Sequence, residues 1–478
     1  MIGLAHALNN TSNHTVTSYF ESQAVVLDEW KRRNWYYHAV VTALVKFLVP
    51  EGHSVLEVGS GTGDLLAALK PSRGMGIDAS DYMVQISREK HLEMDWRKGD
   101  AENLHVENHF DYVVLSDLVG YLRDVEKAFS RLGSVCDSRS RIIITQYNYL
   151  WEPLLQLAQA LKLKAPVPIQ NWLSPADVEN MLYLAGFEVI KKGNKLLFPK
   201  HIPLLSRFLN KFVANLPVMR HLGVLQYYVA RPLATEPRDF SVSVVIPCRN
   251  EKENIEKAIL RLPEFGTSLE IIFVEGHSTD GTLEEVKRVA ELYGRQRNIR
   301  WVVQDGKGKG DAVRKGFAMA SGDILMILDA DLTVAPEDLP KFYDAMRLGK
   351  GEFINGSRLV YPMEREAMRF FNVLGNKFFS AMFTWLLGQR IKDTLCGTKV
   401  LFKSDYQQIV AQRSYFGDFD PFGDFDLLFG AAKLNLKIVE LPVRYSARTY
   451  GETNINRWRH GWLLLRMALF AMRKLKFV

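Results

Sequence analysis

The sequence predicts an α/β protein with two successive sheet domains. Three observations carry this. Short apolar runs that read as buried strands alternate with helical stretches in two separate series. The length of 478 residues suggests more than one domain. A polar, proline-bearing stretch, Ala234-Thr235-Glu236-Pro237-Arg238-Asp239, lies between the series. The expected organisation is residues 1–233, a linker at 234–239, and residues 240–478.

In the first series, strands are expected near Ser54–Val58, Gly74–Asp78, Tyr112–Leu115, Ile142–Gln146, Phe187–Ile190 and Tyr227–Ala230. The second begins at Ser241–Ile246 and continues at Ile271–Val274, Trp301–Gln304 and Ile324–Leu328. No repeat or low-complexity segment stands out.

Composition is that of a folded protein, with 47% hydrophobic and 24% charged residues. The net charge of +7 is unevenly spread. No acid lies between Glu188 and Glu236 or after Glu452, yet both tracts carry many lysines and arginines among Leu, Phe and Val. Basic plus apolar points to an anionic membrane surface rather than to nucleic acid. Cys136, Cys248 and Cys396 form neither a metal spacing nor a disulfide framework, so a reducing compartment is expected. The start of the chain lacks a signal-peptide pattern, and no uncharged apolar stretch is long enough to span a bilayer. The expected location is cytoplasmic, peripheral on the cytoplasmic membrane face.

Val55-Leu56-Glu57-Val58-Gly59-Ser60-Gly61-Thr62-Gly63 is a strand entering a glycine-rich turn, where the backbone can approach a ligand closely. A dinucleotide fingerprint would place its third glycine where Asp64 stands. Downstream, Gly76-Ile77-Asp78 ends a strand on an acid suited to two ribose hydroxyls, followed by Gly99-Asp100-Ala101 and Phe110-Asp111-Tyr112-Val113-Val114-Leu115-Ser116. In spacing and order these segments resemble class I S-adenosylmethionine-dependent methyltransferases over about residues 19–233. The resemblance implies cofactor contacts from Glu57, Gly59, Ser60, Gly61, Gly63, Asp78, Ala79, Asp100, Ala101 and Ser116. Methyl transfer needs mainly orientation of donor and acceptor. A base is open among His38, Tyr37 and Tyr147, and the acceptor is not legible. The acid-free insert from Val189 to Thr235 either covers a lipid-like acceptor or docks on the second domain.

In the second half, Ile324-Leu325-Met326-Ile327-Leu328-Asp329-Ala330-Asp331 reads as a buried strand ending in two carboxylates one residue apart. Strand alternation would turn both to one face, where they suit Mg²⁺ or Mn²⁺ shared with a diphosphate. The plain alternative is a solvated Asp-x-Asp in a turn. Three segments precede it: Val244-Val245-Ile246-Pro247-Cys248-Arg249-Asn250-Glu251, then Val274-Glu275-Gly276-His277-Ser278-Thr279-Asp280-Gly281-Thr282, then Gly308-Lys309-Gly310-Asp311. Gly356-Ser357-Arg358, Asp393-Thr394-Leu395-Cys396-Gly397-Thr398-Lys399, Asp424-Phe425-Asp426 and Arg448-Thr449-Tyr450-Gly451-Glu452 follow.

This ordered set resembles family-2 glycosyltransferases with the GT-A fold, in the branch of dolichyl- or polyprenyl-phosphate mannosyl- and glucosyltransferases, over about residues 240–460. With the first half, it implies two Rossmann-like domains, a methyltransferase sheet followed by a GT-A domain. It also implies an inverting transfer of hexose from a GDP- or UDP-sugar to a polyprenyl phosphate or other lipid. Asp329 and Asp331 would hold the metal. Asp393, Asp424, Asp426 and Arg448 are the further catalytic candidates, with the three carboxylates as bases for a hydroxyl acceptor. Pro247, Arg249, Glu251, Glu275, Asp280, Lys309, Arg358 and Lys399 would contact substrate. The sequence departs from the family at Gly276, His277, Thr333 and Asn454. The rival readings are transfer to a saccharide or soluble acceptor, and a chain in which one domain only binds ligand.

Two helices are expected at the membrane interface. One carries Arg459, Arg466 and Arg473 at seven-residue intervals; the other has a polar stripe of Arg369, Asn372, Asn376, Ser380 and Thr384. Packing on their own domain is the alternative.

Overall fold

The computed structural model describes residues 21, 26, 28–165, 170–234, 236–361, 370–413, 425–446, 448, 450 and 457–476. It divides into two compact units, meeting in sequence between Leu233 and Ala234.

The first unit is a seven-stranded sheet in the order β3-β2-β1-β4-β5-β7-β6. Its strands are β1 (Ser54–Val58), β2 (Arg73–Asp78), β3 (Asp95–Lys98), β4 (Tyr112–Ser116), β5 (Arg141–Tyr147), β6 (Phe187–Lys195) and β7 (Leu225–Pro232). Strands β1 to β5 run parallel, and β7 lies antiparallel between β5 and β6. Helices cover both faces, so the central strands are apolar at nearly every position. Leu56, Val113 and Ile142 pack against Phe129 and Val178 on one side. Val55, Val114 and Ile143 meet Val41, Leu44 and Leu66 on the other. The strand order reverses between β1 and β4, which opens a crevice beyond their carboxyl ends.

The second unit repeats the principle with β8 (Val242–Cys248), β9 (Leu269–Glu275), β10 (Asn298–Val303), β11 (Ile324–Ile327), β12 (Phe353–Ser357), β13 (Lys399–Phe402) and β14 (Ile438–Pro442). The order is β10-β9-β8-β11-β13-β12-β14, with β13 antiparallel to both neighbours. An antiparallel bridge, Val334 to Tyr445, lays the chain after β14 alongside the turn that follows β11.

Both helices expected at the membrane interface pack in part on their own domain. Helix Arg457–Ala471 buries Leu464, Met467, Ala468 and Ala471, and a π-helical turn over Met472–Lys476 buries Leu475. Its apolar side is thus used for packing, while Arg466 and Arg473 are exposed. The side chain of Arg459 lies outside the described residues, as do those of Arg369, Asn372 and Asn376. In helix Phe370–Leu387, Ser380 donates to the Ile391 carbonyl at 2.7 Å, and Thr384 accepts from the Ile391 N–H at 3.0 Å. Those two positions of the polar stripe cap a neighbouring loop rather than face outward. Among the described residues, no helix is long and apolar enough to cross a membrane.

Candidate functional site

In the first unit, the ends of β1, β2 and β4 open into a cavity of roughly 1440 Å³. Gly59, Gly61 and Gly63 all adopt positive φ, so the turn after β1 doubles back tightly. A side chain at Gly59 would collide with Leu118, whereas Gly61 has open space where a Cβ would stand. Asp78 sits at the end of β2 and lines the cavity. Its carboxylate accepts from the N–H groups of Gly61 at 2.8 Å and Ser80 at 3.0 Å. Burial nevertheless raises its pKa. Glu57 is buried and accepts from the Leu66 N–H at 3.1 Å; burial pushes it up to about 8 against the pull of Lys31.

Ser60, Ala79, Asp100, Ala101 and Ser116 also line this cavity, so the structure brings together the segments that the sequence singled out. The Ser60 hydroxyl is buried with no partner among the described residues. Asp100 caps the turn at Ala101–Asn103 through the Glu102 N–H, and Ser116 pairs with Thr145 at 3.1 Å. Gly63 is absent from the lining and instead abuts Trp96. Asp64, which breaks the dinucleotide pattern, pairs with Lys31 at 2.8 Å and Lys90 at 2.7 Å.

Sequence reasoning missed Asp117. It follows β4 with φ of 53°, an uncommon conformation for a residue with a side chain. Tyr37 donates to it at 2.8 Å, and burial raises it to about 6. Tyr147 stacks on Tyr37 at 5.3 Å, and the Lys164 ammonium lies 5.2 Å from the Tyr147 ring centre. Burial drives the Lys164 pKa down. The same environment raises both tyrosines well above their ordinary range, so as neutral phenols they cannot serve as bases at pH 7. His38, lowered to about 4 by burial and by Lys31, is neutral there.

In the second unit, the ends of β8, β9 and β11 converge. Strand β11 stops at Ile327, so Asp329 and Asp331 lie in the following turn, and strand alternation is not what orients them. Asp329 pairs with Lys309 at 2.6 Å. Burial alone would raise its pKa, but Lys309, Lys399 and Arg358 reverse this and hold it low. Gly397 packs against both members of the pair: a Cβ there would collide with the Asp329 carboxylate and the Lys309 ammonium. One oxygen of Asp331 accepts from the N–H and hydroxyl of Thr333; the other pairs with Arg448 at 2.7 Å. Arg448 also reaches Glu251 at 3.1 Å, joining the ends of β8 and β11. Glu275 accepts from the N–H groups of His277 and Ser278, and His277 takes φ of 59° at the position where the resemblance called for glycine. Asp280 is held by the Lys252 and Thr282 N–H groups and by the Tyr450 hydroxyl. Pro247 is half-buried at the end of β8, and Arg249 is exposed just beyond it.

Several of the candidates have partners within the fold. Asp393 is buried, and its two oxygens accept two side-chain bonds from Arg358, at 2.7 and 2.8 Å, as well as the backbone N–H groups of Arg358 and Leu395. That pair keeps Asp393 ionised despite its burial. Asp426 lies 3.7 Å from Arg413 and accepts from the Leu427 N–H. Asp424 lies outside the described residues. Lys399 is fully buried and donates to the Cys396 carbonyl at 2.6 Å. Sequence reasoning also missed Glu440, which accepts the N–H groups of Lys392 and Asp393 and so fixes that loop.

The sequence pattern of a methyltransferase domain matches residues 30–192, and that of glycosyl transferase family 2 matches residues 243–409. The chain joins a methyltransferase domain to a family 2 glycosyltransferase domain. The glycosyltransferase domain is 31% identical to a dolichol-phosphate mannosyltransferase of Pyrococcus furiosus over 221 residues, 45% of this chain and 59% of that protein. It is 28% identical to glycosyltransferase AglJ of Haloferax volcanii over 230 residues, 48% of this chain and 71% of that one. The chain thus spans little more than half the length of the first of these relatives. A solved S-adenosylmethionine-dependent methyltransferase from Thermotoga maritima aligns over 45% of this chain and 99% of its own, at 18% identity and a TM-score of 0.37.

Proposed function

We propose that the chain is a bifunctional transferase of glycoconjugate synthesis. The glycosyltransferase domain moves a hexose from a GDP- or UDP-sugar to a polyprenyl-phosphate-type lipid. The methyltransferase domain transfers a methyl group from S-adenosylmethionine. The observation that carries the sugar-transfer reading is the carboxylate–cation set at the ends of β8 and β11: Asp329 with Lys309, and Asp331 with Arg448 and Glu251. Two carboxylates one residue apart suit Mg²⁺ or Mn²⁺, a hard cation that completes its shell with substrate phosphate and water. Bound there, it neutralises charge on the leaving diphosphate. Lys309 contributes a fixed positive charge beside Asp329, and Gly397 leaves the room that this pair needs.

A lipid phosphate is favoured over a hydroxyl acceptor because it arrives ionised and needs no base. The two described base candidates, Asp393 and Asp426, are each engaged by an arginine. For the methyl-transfer reading, the buried Ser60 hydroxyl, the open space at Gly61 and the Asp78 carboxylate fit a polar ligand with ribose hydroxyls. Membrane work follows from a lipid acceptor, on the cytoplasmic face where nucleotide sugars are expected.

The test is turnover of GDP- and UDP-hexoses with Mg²⁺ or Mn²⁺, with and without polyprenyl phosphate. Asp329→Asn or Asp331→Asn keeps side-chain shape but removes charge, and should lower turnover by orders of magnitude while S-adenosylmethionine binding persists. Normal turnover in excess chelator would overturn the metal role. Equal transfer to a water-soluble acceptor would overturn the lipid acceptor.

A further inference from the structure

The methyltransferase domain carries a surface that neither transfer reaction explains. Helix Glu152–Ala160, EPLLQLAQA, buries none of its residues. Leu157 is 56% exposed, and Leu154 and Leu161 project similarly. Helix Leu205–Lys211 buries only Ser206; near it Leu204 is 87% and Val218 74% exposed, with Phe208 also outward. The start of the first helix is tied to the stretch that follows the second: Trp151 donates to the Leu222 carbonyl at 2.7 Å, and Asn148 donates to the carbonyls of His221 and Gly223. Large apolar side chains exposed together on linked segments, rather than scattered singly, mark an interaction surface.

Its charge selects the partner. No acid occurs between Glu152 and Asp177 or between Glu188 and Glu236, whereas Lys162, Arg207, Lys211 and Arg220 lie within those stretches. Pairing of two copies through this face would set basic against basic, since a two-fold contact joins a patch to itself. An anionic bilayer meets both demands: acyl chains take the leucines and phenylalanines, and headgroups take the cations. The same helix that turns Leu154 and Leu157 outward turns Leu155 and Ala158 into the cavity, where Leu163 and Lys200 also contribute.

We propose that this face seats the methyltransferase domain on an anionic membrane, with helix Glu152–Ala160 lying in the headgroup layer as the wall between bilayer and cavity. The proposal rests on the cavity being the S-adenosylmethionine site. Its test uses the full chain, floated with vesicles of phosphatidylcholine alone or with phosphatidylglycerol added. Wild type should float with the phosphatidylglycerol vesicles and not with the neutral ones. Leu157→Glu combined with Phe208→Glu should weaken that binding at least about tenfold, since both side chains leave the interface. Calorimetry with S-adenosylmethionine should give unchanged affinity for the double variant, which shows an intact domain. As a second variant in case the first misfolds, Arg207→Glu with Lys211→Glu should lower flotation and leave the same affinity intact. Wild type that binds S-adenosylmethionine but ignores both vesicle types overturns the surface and leaves the methyltransferase reading standing. Binding retained by both variants also overturns the surface. A lipid-free dimer in light scattering that Leu157→Glu with Phe208→Glu dissolves overturns it in favour of a second copy of the chain. Failure to bind S-adenosylmethionine at all removes the reading beneath it.

Discussion

Asp117 holds an unfavourable backbone angle and an unfavourable charge together, next to the cavity and bonded to Tyr37. Its folded pKa of about 6 lies above the unfolded carboxylate value, so the folded state binds a proton that the unfolded state releases. Stability therefore falls as pH rises through the window between the two values. At pH 7 the ionised group costs about 1–3 kcal/mol. Asp117→Asn keeps an acceptor for Tyr37 and should raise the melting temperature at pH 7 by several degrees. The same variant should flatten the melting temperature against pH below 6, which a pH series of thermal scans reads directly. Asp78 tests the opposite case. With S-adenosylmethionine bound, its carboxylate would take charge-assisted bonds of about 1.5–3 kcal/mol each. Asp78→Ala should weaken binding at least tenfold in calorimetry; unchanged affinity, or tight binding of NAD instead, removes the cofactor assignment.

At the scale of elements, legibility followed burial on both faces. Strands β1, β4, β8 and β11 are mostly apolar and buried, and lie where the sequence places them with small shifts at the ends. Strand β3, DWRK, is an edge strand with one buried residue, so it carries no apolar run. Strands β12, β13 and β14 contain Asn-Gly, a fully buried Lys399 and a terminal Pro442, which disguise them in the same way. The site divides along the same line. Residues just past apolar strands, such as Asp78 and Asp329, announce themselves, whereas the Tyr37–Asp117 bond joins residues 80 apart and no local pattern marks it. The C-terminal helix shows why a periodic stripe does not decide between two settings, because packing on its own domain and lying on a membrane require the same periodicity. Its burial gives a stability prediction. Ala468→Asp would place an unpaired charge in a fully buried position and should cost about 3–5 kcal/mol, read as an early melting transition. Arg466→Glu and Arg473→Glu, at exposed positions, should change stability by no more than about 0.5 kcal/mol.

At the scale of the whole molecule, each unit has its own sheet and core, and contacts cluster within units. We therefore expect residues 1–233 and 240–478 to fold when produced separately. The first piece should bind S-adenosylmethionine as tightly as the intact chain, and calorimetric melting of the intact chain should resolve into two transitions that match those of the pieces. A loss of cofactor affinity in the isolated piece, or a single transition in the whole, would show that the units depend on each other.

Arg448 adds a temporal dimension to that independence. It bonds Glu251 from 197 residues away and Asp331 from 117 residues away. During synthesis the strands that lead into those two carboxylates leave the ribosome long before the arginine does. The glycosyltransferase site thus cannot be complete in a nascent chain whose sheet is already largely made, while the methyltransferase domain upstream can be finished and holding its ligand. A ribosome stalled between β14 and Arg448 would display one working half and one inert half, with two acidic strand ends still waiting for the cation that links them.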